Sequence, residues 1–184
     1  MKNNPPVSIS NDLYEVIPLK PLRKTPGVSF DIVEPELVKA ISAIDRVVHA
    51  NGAISPGAIG KVTRPWYMHP YQEDHLMVLH GKRTVDLYSL RAGRIETLVT
   101  TSEGLWKNEI QIFEGPHLLK WTTGVFHRIE SDAMTGSASI NLATHLPGFD
   151  IRTNFNIYDL DTNSGNYTLL REGFLDQSPV GNAL

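Results

Sequence analysis

From Ile54 onward the chain is cut into short apolar or alternating runs: AIGKVT, HLMVLHG, RTVDLYSL, IETLVT, NEIQIFEG, HLLKWTTG, FHRIES and SASINLATHLPG. Gly, Pro, Ser or Asp stand between them at fairly even spacing. Successive side chains of a strand point to opposite faces, so runs of this length with turn residues between them predict an antiparallel sandwich or small barrel. No alternation of helical and strand patterns is visible, which disfavours a parallel α/β fold. Apart from two similarly built halves there is no internal repeat and no low-complexity tract.

The flanks read differently. Residues 1 to about 12 are rich in Asn, Pro and Ser and are expected to form a loose arm, or a strand that pairs outside the domain. In EPELVKAISAIDRVVHANGA the residues Leu37, Ile41, Ile44 and Val48 recur at helical spacing. Pro35 suits a first turn there and Gly52 a C-terminal stop, which predicts a helix. After Pro147 the tail is expected to form a further hairpin turning at DTNSGN, with a polar end. The expected organisation is one domain. Residues 1–53 supply an arm, a strand and a helix packed on the barrel, 54–146 the barrel, and 147–184 the hairpin and tail.

Composition removes several functions. Lys plus Arg number 17 against 20 acids, for a net charge of -3, and no basic stripe could track a phosphate backbone, so nucleic acid is not an expected partner. The absence of cysteine removes disulfides, thiolate metal sites and cysteine nucleophiles. A metal would have to use histidine, carboxylate or backbone oxygen. The N-terminus MKNNPPVSISNDLYEV has no apolar core of signal-peptide length, and no stretch of about 18 apolar residues occurs. The expectation is a soluble, cytoplasmic protein without a membrane partner. No nucleophile elbow, P-loop or dinucleotide fingerprint is present.

The stretch RPWYMHPYQEDHLMVLHGK concentrates the chemistry. Tyr67 and His69, two apart, share one face of a strand. PYQE then turns the chain, Asp74, Leu76 and Val78 share a face of the next strand, and Gly81 turns it again. This resembles the first motif of the cupin superfamily, Gly-x5-His-x-His-x(3 or 4)-Glu-x6-Gly. Aligned on Gly81, Asp74 falls where that family usually has Glu, His69 at the second histidine and Tyr67 at the first. PHLLKWTTGVFHRIES resembles the second motif, Gly-x5-Pro-x-Gly-x2-His-x3-Asn. Gly124 and His127 fall at the family's spacing, while Pro116 stands for the leading glycine, Thr122 for the proline and Ser131 for the asparagine. The resemblance covers roughly residues 54 to 146.

The resemblance implies a single-domain antiparallel double-stranded β-helix, the jelly-roll barrel, here with one N-terminal helix and a C-terminal hairpin extension. It further implies that His69, Asp74 and His127 hold a divalent metal ion (Fe, Mn, Ni or Zn) and that the protein acts on a small organic molecule. Oxygenase, isomerase and lyase chemistries are all compatible with such a site. Tyr67 would be a fourth ligand, a proton donor or a plug. A second reading is a metal-free relative of the sugar-nucleotide epimerases and isomerases of the same superfamily. There His69 would act as base and Tyr67 as acid, with only Arg64, Arg83 and Arg128 near enough to grip a diphosphate. A third is a non-catalytic module that captures a small ligand. The resemblance also implies a homodimer, with the N-terminal arm or the NFNIYDL strand as the swapped edge.

Other candidates rest on the residues alone. A strand register slipped by one would offer His75 and Glu73 in place of Asp74. Ser139, Asn141, Ala143 and His145 share a face that could line a cavity or meet solvent. Trp66, Trp106, Trp121, Phe113 and Phe126 could wall the pocket or fill the core. His49, His80 and His117 are expected to be structural or solvated.

Overall fold

The computed structural model describes residues 9–38 and 40–177. Four short strands open the chain: β1 (Ile9–Ser10), β2 (Glu15–Pro18), β3 (Lys20–Thr25) and β4 (Val28–Ile32). They are followed by β5 (Ala43–His49), β6 (Ile54–Ser55), β7 (Trp66–Met68), β8 (Gln72–Gly81), β9 (Arg83–Tyr88) and β10 (Ile95–Thr101). The barrel continues with β11 (Gly104–Lys107), β12 (Ile110–Glu114), β13 (His117–Trp121), β14 (Phe126–Ser131) and β15 (Ser137–His145). Helix α1 (Ile151–Asn154), β16 (Ile157–Leu160) and β17 (Tyr167–Arg171) complete it.

Two antiparallel sheets face each other. One runs β1-β2-β13-β8-β15-β5 and the other β12-β11-β10-β9-β14-β7-β16-β17, with β6 added to β14. The chain crosses between them from β8 to β9, from β13 to β14 and from β14 to β15, which is the double-stranded β-helix expected from the sequence. Leu76 and Val78 from one sheet meet Val85, Leu87, Leu98 and Leu105 from the other in the main core, together with Leu119 and Val125. Each such side chain contributes about 1.5–3 kcal/mol on burial. The core fills one half of the barrel. The half bounded by β5, β7 and the upper parts of β8 and β14 is left for a cavity.

The helix expected over residues 35–52 is not formed. A turn at residues 35–37 leads into β5, which pairs along its whole length with β15, from Ser137↔His49 to Ala143↔Ala43. The pairing explains the outcome, because without β5 the edge of β15 would present unpaired backbone groups. Helical spacing misled because polar and apolar residues mix on both faces of this strand. Ala43, Asp45, Val47 and His49 point inward, while Ile44 and Val48 point outward at 67% and 56% exposure. Gly52, with φ +63, serves a turn between strands. Among the described residues the one α-helix is the four-residue α1, beyond the barrel.

The remaining expectations divide. AIGKVT forms a tight bridge between Ile59 and Val62 and no extended strand. The tail does form its hairpin, β16 with β17, and β16 pairs with β7 so that Ile157 lies opposite Tyr67. Residues 1–8 lie outside the described residues; Ile9 and Ser10 pair with β2, and β2 with β13. The hairpin β3–β4 forms a separate two-stranded sheet. No helix among the described residues is long and apolar enough to cross a membrane.

Candidate active site

His69, Asp74 and His127 come together in the barrel, with one ligand atom of each within 4.8 Å of the others. Asp74 is an inward residue of β8 and His127 an inward residue of β14. His69 lies just past β7, where its carbonyl accepts a hydrogen bond from Gly124 N at 3.0 Å. All three side chains are buried.

The tautomers follow from the partners. His69 Nδ1 contacts Asn154 O at 2.5 Å and His127 Nδ1 contacts Val125 O at 3.2 Å. A carbonyl oxygen only accepts, so both Nδ1 atoms carry hydrogen, and in the neutral rings both Nε2 atoms present lone pairs. His69 Nε2 faces Asp74 Oδ2 at 3.3 Å. The other carboxylate oxygen, Oδ1, accepts from Gln72 Nε2 and from Asn141 Nδ2, each at 2.7 Å. Asn154 Nδ2 in turn donates to Gln72 Oε1 at 2.9 Å, so α1 and β8 fix the cluster between them.

Burial alone would raise the Asp74 carboxyl, but the imidazoles of His69 and His127 and the two amide donors outweigh it and hold it below the usual carboxylate value. Burial, aided by His69, pushes His127 down to about 4, so its ring is neutral at pH 7. Burial raises the Tyr67 hydroxyl, which therefore keeps its proton. The Tyr67 ring lies 5.9 Å from that of His127 and 6.4 Å from that of His69. Trp121 packs on His127 at 5.1 Å, with its Nε1 buried and without a hydrogen-bond partner, and Phe155 meets the edge of His69 at 5.2 Å.

These groups line a cavity of about 210 Å³, to which Asp45, Val47, His49, Ser55, Gln72, Leu76, Arg83, Ile129 and Asn141 also contribute. Tyr67, Asn141 and Trp121 are among the lining residues. Trp66 does not line the cavity: it neighbours Tyr67 on β7 and so points to the opposite face, where it packs with Tyr88, Phe126 and Leu160 under the Arg128 guanidinium. His145 does not line it either, because β15 carries it past the wall to stack on Phe149 at 3.5 Å. The slipped register is not adopted. His75 Nδ1 bonds Leu142 O on the other face, and Glu73 accepts from Thr122.

Sequence reasoning missed Gln72, Asp45, His49, Asn154 and Phe155 around this cavity, and took Arg83 only as a candidate to grip a diphosphate. Gln72 was within reach, two positions from Asp74 on the same alternating strand. Asp45 and His49 were hidden by the helical reading of β5. Asn154 and Phe155 reach the site from beyond the barrel and leave no local signal.

No family model matches the sequence, and no curated protein matches it either. Solved structures do match. A dTDP sugar isomerase from Desulfovibrio desulfuricans G20 superposes with a TM-score of 0.53 at 13% identity, over 73% of this chain and 80% of the other. QdtA, a sugar 3,4-ketoisomerase from Thermoanaerobacterium thermosaccharolyticum in complex with TDP, gives 0.50 at 13% identity over 74% and 82%. The RmlC epimerase of Mycobacterium tuberculosis gives 0.51 at 10% identity over 74% and 66%. The chain therefore has the RmlC-like cupin fold.

Proposed function

We propose that the cavity is the active site of an isomerase or epimerase that moves a proton beside a carbonyl group on a small polyhydroxylated molecule. The observation that supports this reading is the buried cluster of His69, Asp74 and His127 beside a protonated Tyr67. The sugar isomerases and epimerase that share the fold support it as well. His69 takes the proton from the carbon next to the carbonyl, and the Asp74 carboxylate stabilises the imidazolium so formed. The C–H electron pair becomes the double bond of an enediol, while the carbonyl π pair moves to oxygen and accepts the Tyr67 proton. In the second half the neighbouring hydroxyl gives its proton to the Tyr67 phenolate and becomes the new carbonyl, while the proton held on His69 passes to the former carbonyl carbon, and no oxidant or reductant is needed. His127, neutral, offers a second acceptor on the same side.

Two arginines near the motifs are poorly placed to grip a diphosphate. Arg64 bonds Glu130 at 2.6 Å, and Arg128 bonds Asp86 at 2.8 Å while covering Trp66. The cavity is also smaller than the roughly 300–1,000 Å³ of pockets that enclose drug-sized ligands. Both points favour a free sugar-like compound over a nucleotide sugar. The test is solvent exchange in D2O followed by NMR, with a TDP-4-keto sugar, free hexoses and hexuronic acids as substrates. Deuterium entering the carbon beside the carbonyl, and its loss in His69→Gln, is the expected result. Exchange no faster than in that variant for every compound overturns the reading.

A divalent metal in the same cluster is the second reading. Two imidazole nitrogens and one carboxylate oxygen converge, and each Nδ1 is fixed by a carbonyl so that Nε2 is the atom left for a metal, a donor set that fits Fe, Mn, Ni or Zn. Bound there, the ion would polarise a substrate carbonyl as a Lewis acid. Elemental mass spectrometry of untagged protein, with His69→Ala beside it, decides: near-stoichiometric metal lost in the variant supports this reading, and none after incubation with each ion removes it.

The same reading takes the protein as a homodimer. The hairpin β3–β4 exposes Leu22, Val28, Phe30 and Ile32, and β5 turns Ile44 and Val48 outward. Such exposed apolar faces fit a protein partner, here a second copy.

A further inference from the structure

Arg83 opens β9 two residues beyond Gly81 and lines the cavity at the end away from His69. In the strand register Arg83 lies opposite Ser131, whereas His127 lies opposite Leu87, four residues away. That separation is roughly 13 Å of strand. The two ends of the cavity therefore carry different chemistry, a proton-transfer cluster at one and a guanidinium at the other.

The guanidinium is buried, with 1% exposure, and only partly satisfied. Nε donates to Ser137 Oγ at 2.9 Å and Nη2 to Val47 O at 3.2 Å, and among the described residues Nη1 has no hydrogen-bond partner. No carboxylate of the described residues pairs with it. Burial lowers it to about 10, so it remains charged at neutral pH. His49 lines the same cavity from β5, and its Nδ1 is buried without a partner. Ser139 Oγ, on the inward row of β15 between Ser137 and Asn141, is also unpartnered. A buried cation without a counter-charge is costly, and donors left unmade around it add to the cost. An anion seated in the cavity against Arg83 and His49 would lower both penalties.

We propose that this end of the cavity binds the carboxylate of the substrate, so that the molecule turned over is a small polyhydroxylated acid with its carbonyl directed to His69 and Tyr67. The inference rests on the isomerase reading for the second half of that statement and on Arg83 alone for the first. A carboxylate fits better than a phosphate, because a single guanidinium with one free edge matches one negative charge, and a phosphate dianion would call for further cations.

The test is isothermal titration calorimetry with D-glucuronate, its uncharged counterpart D-glucuronamide and D-glucose 6-phosphate, on wild type, Arg83→Lys and Arg83→Met. The acid should bind at least ten-fold more tightly than the amide, a preference that Arg83→Met erases and Arg83→Lys partly keeps. Equal binding of acid and amide, no binding of any of the three, or tighter binding of the phosphate overturns the proposal. Should Arg83→Met fail to fold, the acid–amide comparison in wild type decides by itself. Binding requires no proton transfer, so His69→Gln should keep the ten-fold preference. Preference without deuterium exchange in wild type would sink the isomerase and spare the carboxylate site, and exchange without preference would do the reverse.

Discussion

Asp74 Oδ2 stands 3.3 Å from His69 Nε2 while the other nitrogen of that ring is held on Asn154 O. Nδ1 is therefore already committed as a donor, and a proton arriving at Nε2 meets a buried carboxylate that two amides have already oriented. Asp74→Asn keeps the shape and removes the charge that stabilises the imidazolium. Its deuterium-exchange rate should fall by about 10²–10⁴-fold, the usual worth of a positioned acid–base group, with the far-ultraviolet circular dichroism unchanged. A variant that exchanges at the wild-type rate would show that the carboxylate takes no part in proton transfer.

Acid should weaken the fold well before the carboxylates titrate. In the folded protein His127 protonates only at about 4, against an ordinary value near 6.5 in the unfolded chain. Between those limits the unfolded chain binds a proton that the native one refuses, so stability is complete above pH 6.5 and declines as pH falls toward 4. At about 1.4 kcal/mol for every pH unit, His127 accounts for on the order of 3 kcal/mol. His75 and His117, also lowered by burial, act in the same direction. The lowered Asp74 adds its own loss below about pH 4. Urea titrations at pH 7.5, 5.5 and 4.5 check this, and an unfolding free energy that does not change across the series contradicts it.

Gly81 has a steric reason for being glycine. Its φ is +73, and a Cβ there would lie 2.1 Å from Gly136 O, a backbone atom with no room to retreat. Gly81→Ala should cost about 3 kcal/mol or more, combining left-handed strain with a backbone shift at the β8–β9 turn. Denaturation with urea gives the figure, and a loss under about 1 kcal/mol would refute the steric account.

The barrel was legible because its strands obey their own alternation. Asp74, Leu76 and Val78 point inward as the period of two requires, and Gly81 and Gly124 sit at turns that only a particular spacing allows. The proximity of His69, Asp74 and His127 was legible for the same reason, since each sits on or beside such a strand. β5 was not legible, because Asp45 and His49 face a cavity beside Val47 while Ile44 and Val48 face out beside Arg46, so polar and apolar residues mix on both sides. A periodicity argument presumes that apolar means buried. Where a strand lines a cavity with polar groups on one side and exposes apolar residues on the other, that presumption fails. Arg83 was noticed only as one of three arginines near enough to grip a diphosphate, since nothing in the sequence tells a buried arginine from a solvated one.

The hairpin β3–β4 bears on assembly. Two strands alone are marginally stable in water, yet this pair holds Leu22 66% exposed and Phe30 43% exposed, with Arg23 as the ring's cationic neighbour. A second copy covering the hairpin and the outward face of β5 would bury those side chains and supply the packing that the hairpin lacks. Sedimentation velocity at micromolar concentration should therefore give a dimer. Leu22→Ser combined with Phe30→Ser should shift the population toward monomer by at least ten-fold in the dissociation constant, leaving the barrel's circular dichroism intact, because neither residue touches the core. Wild type sedimenting as a monomer, or a double variant as dimeric as wild type, would place the interface elsewhere or remove it.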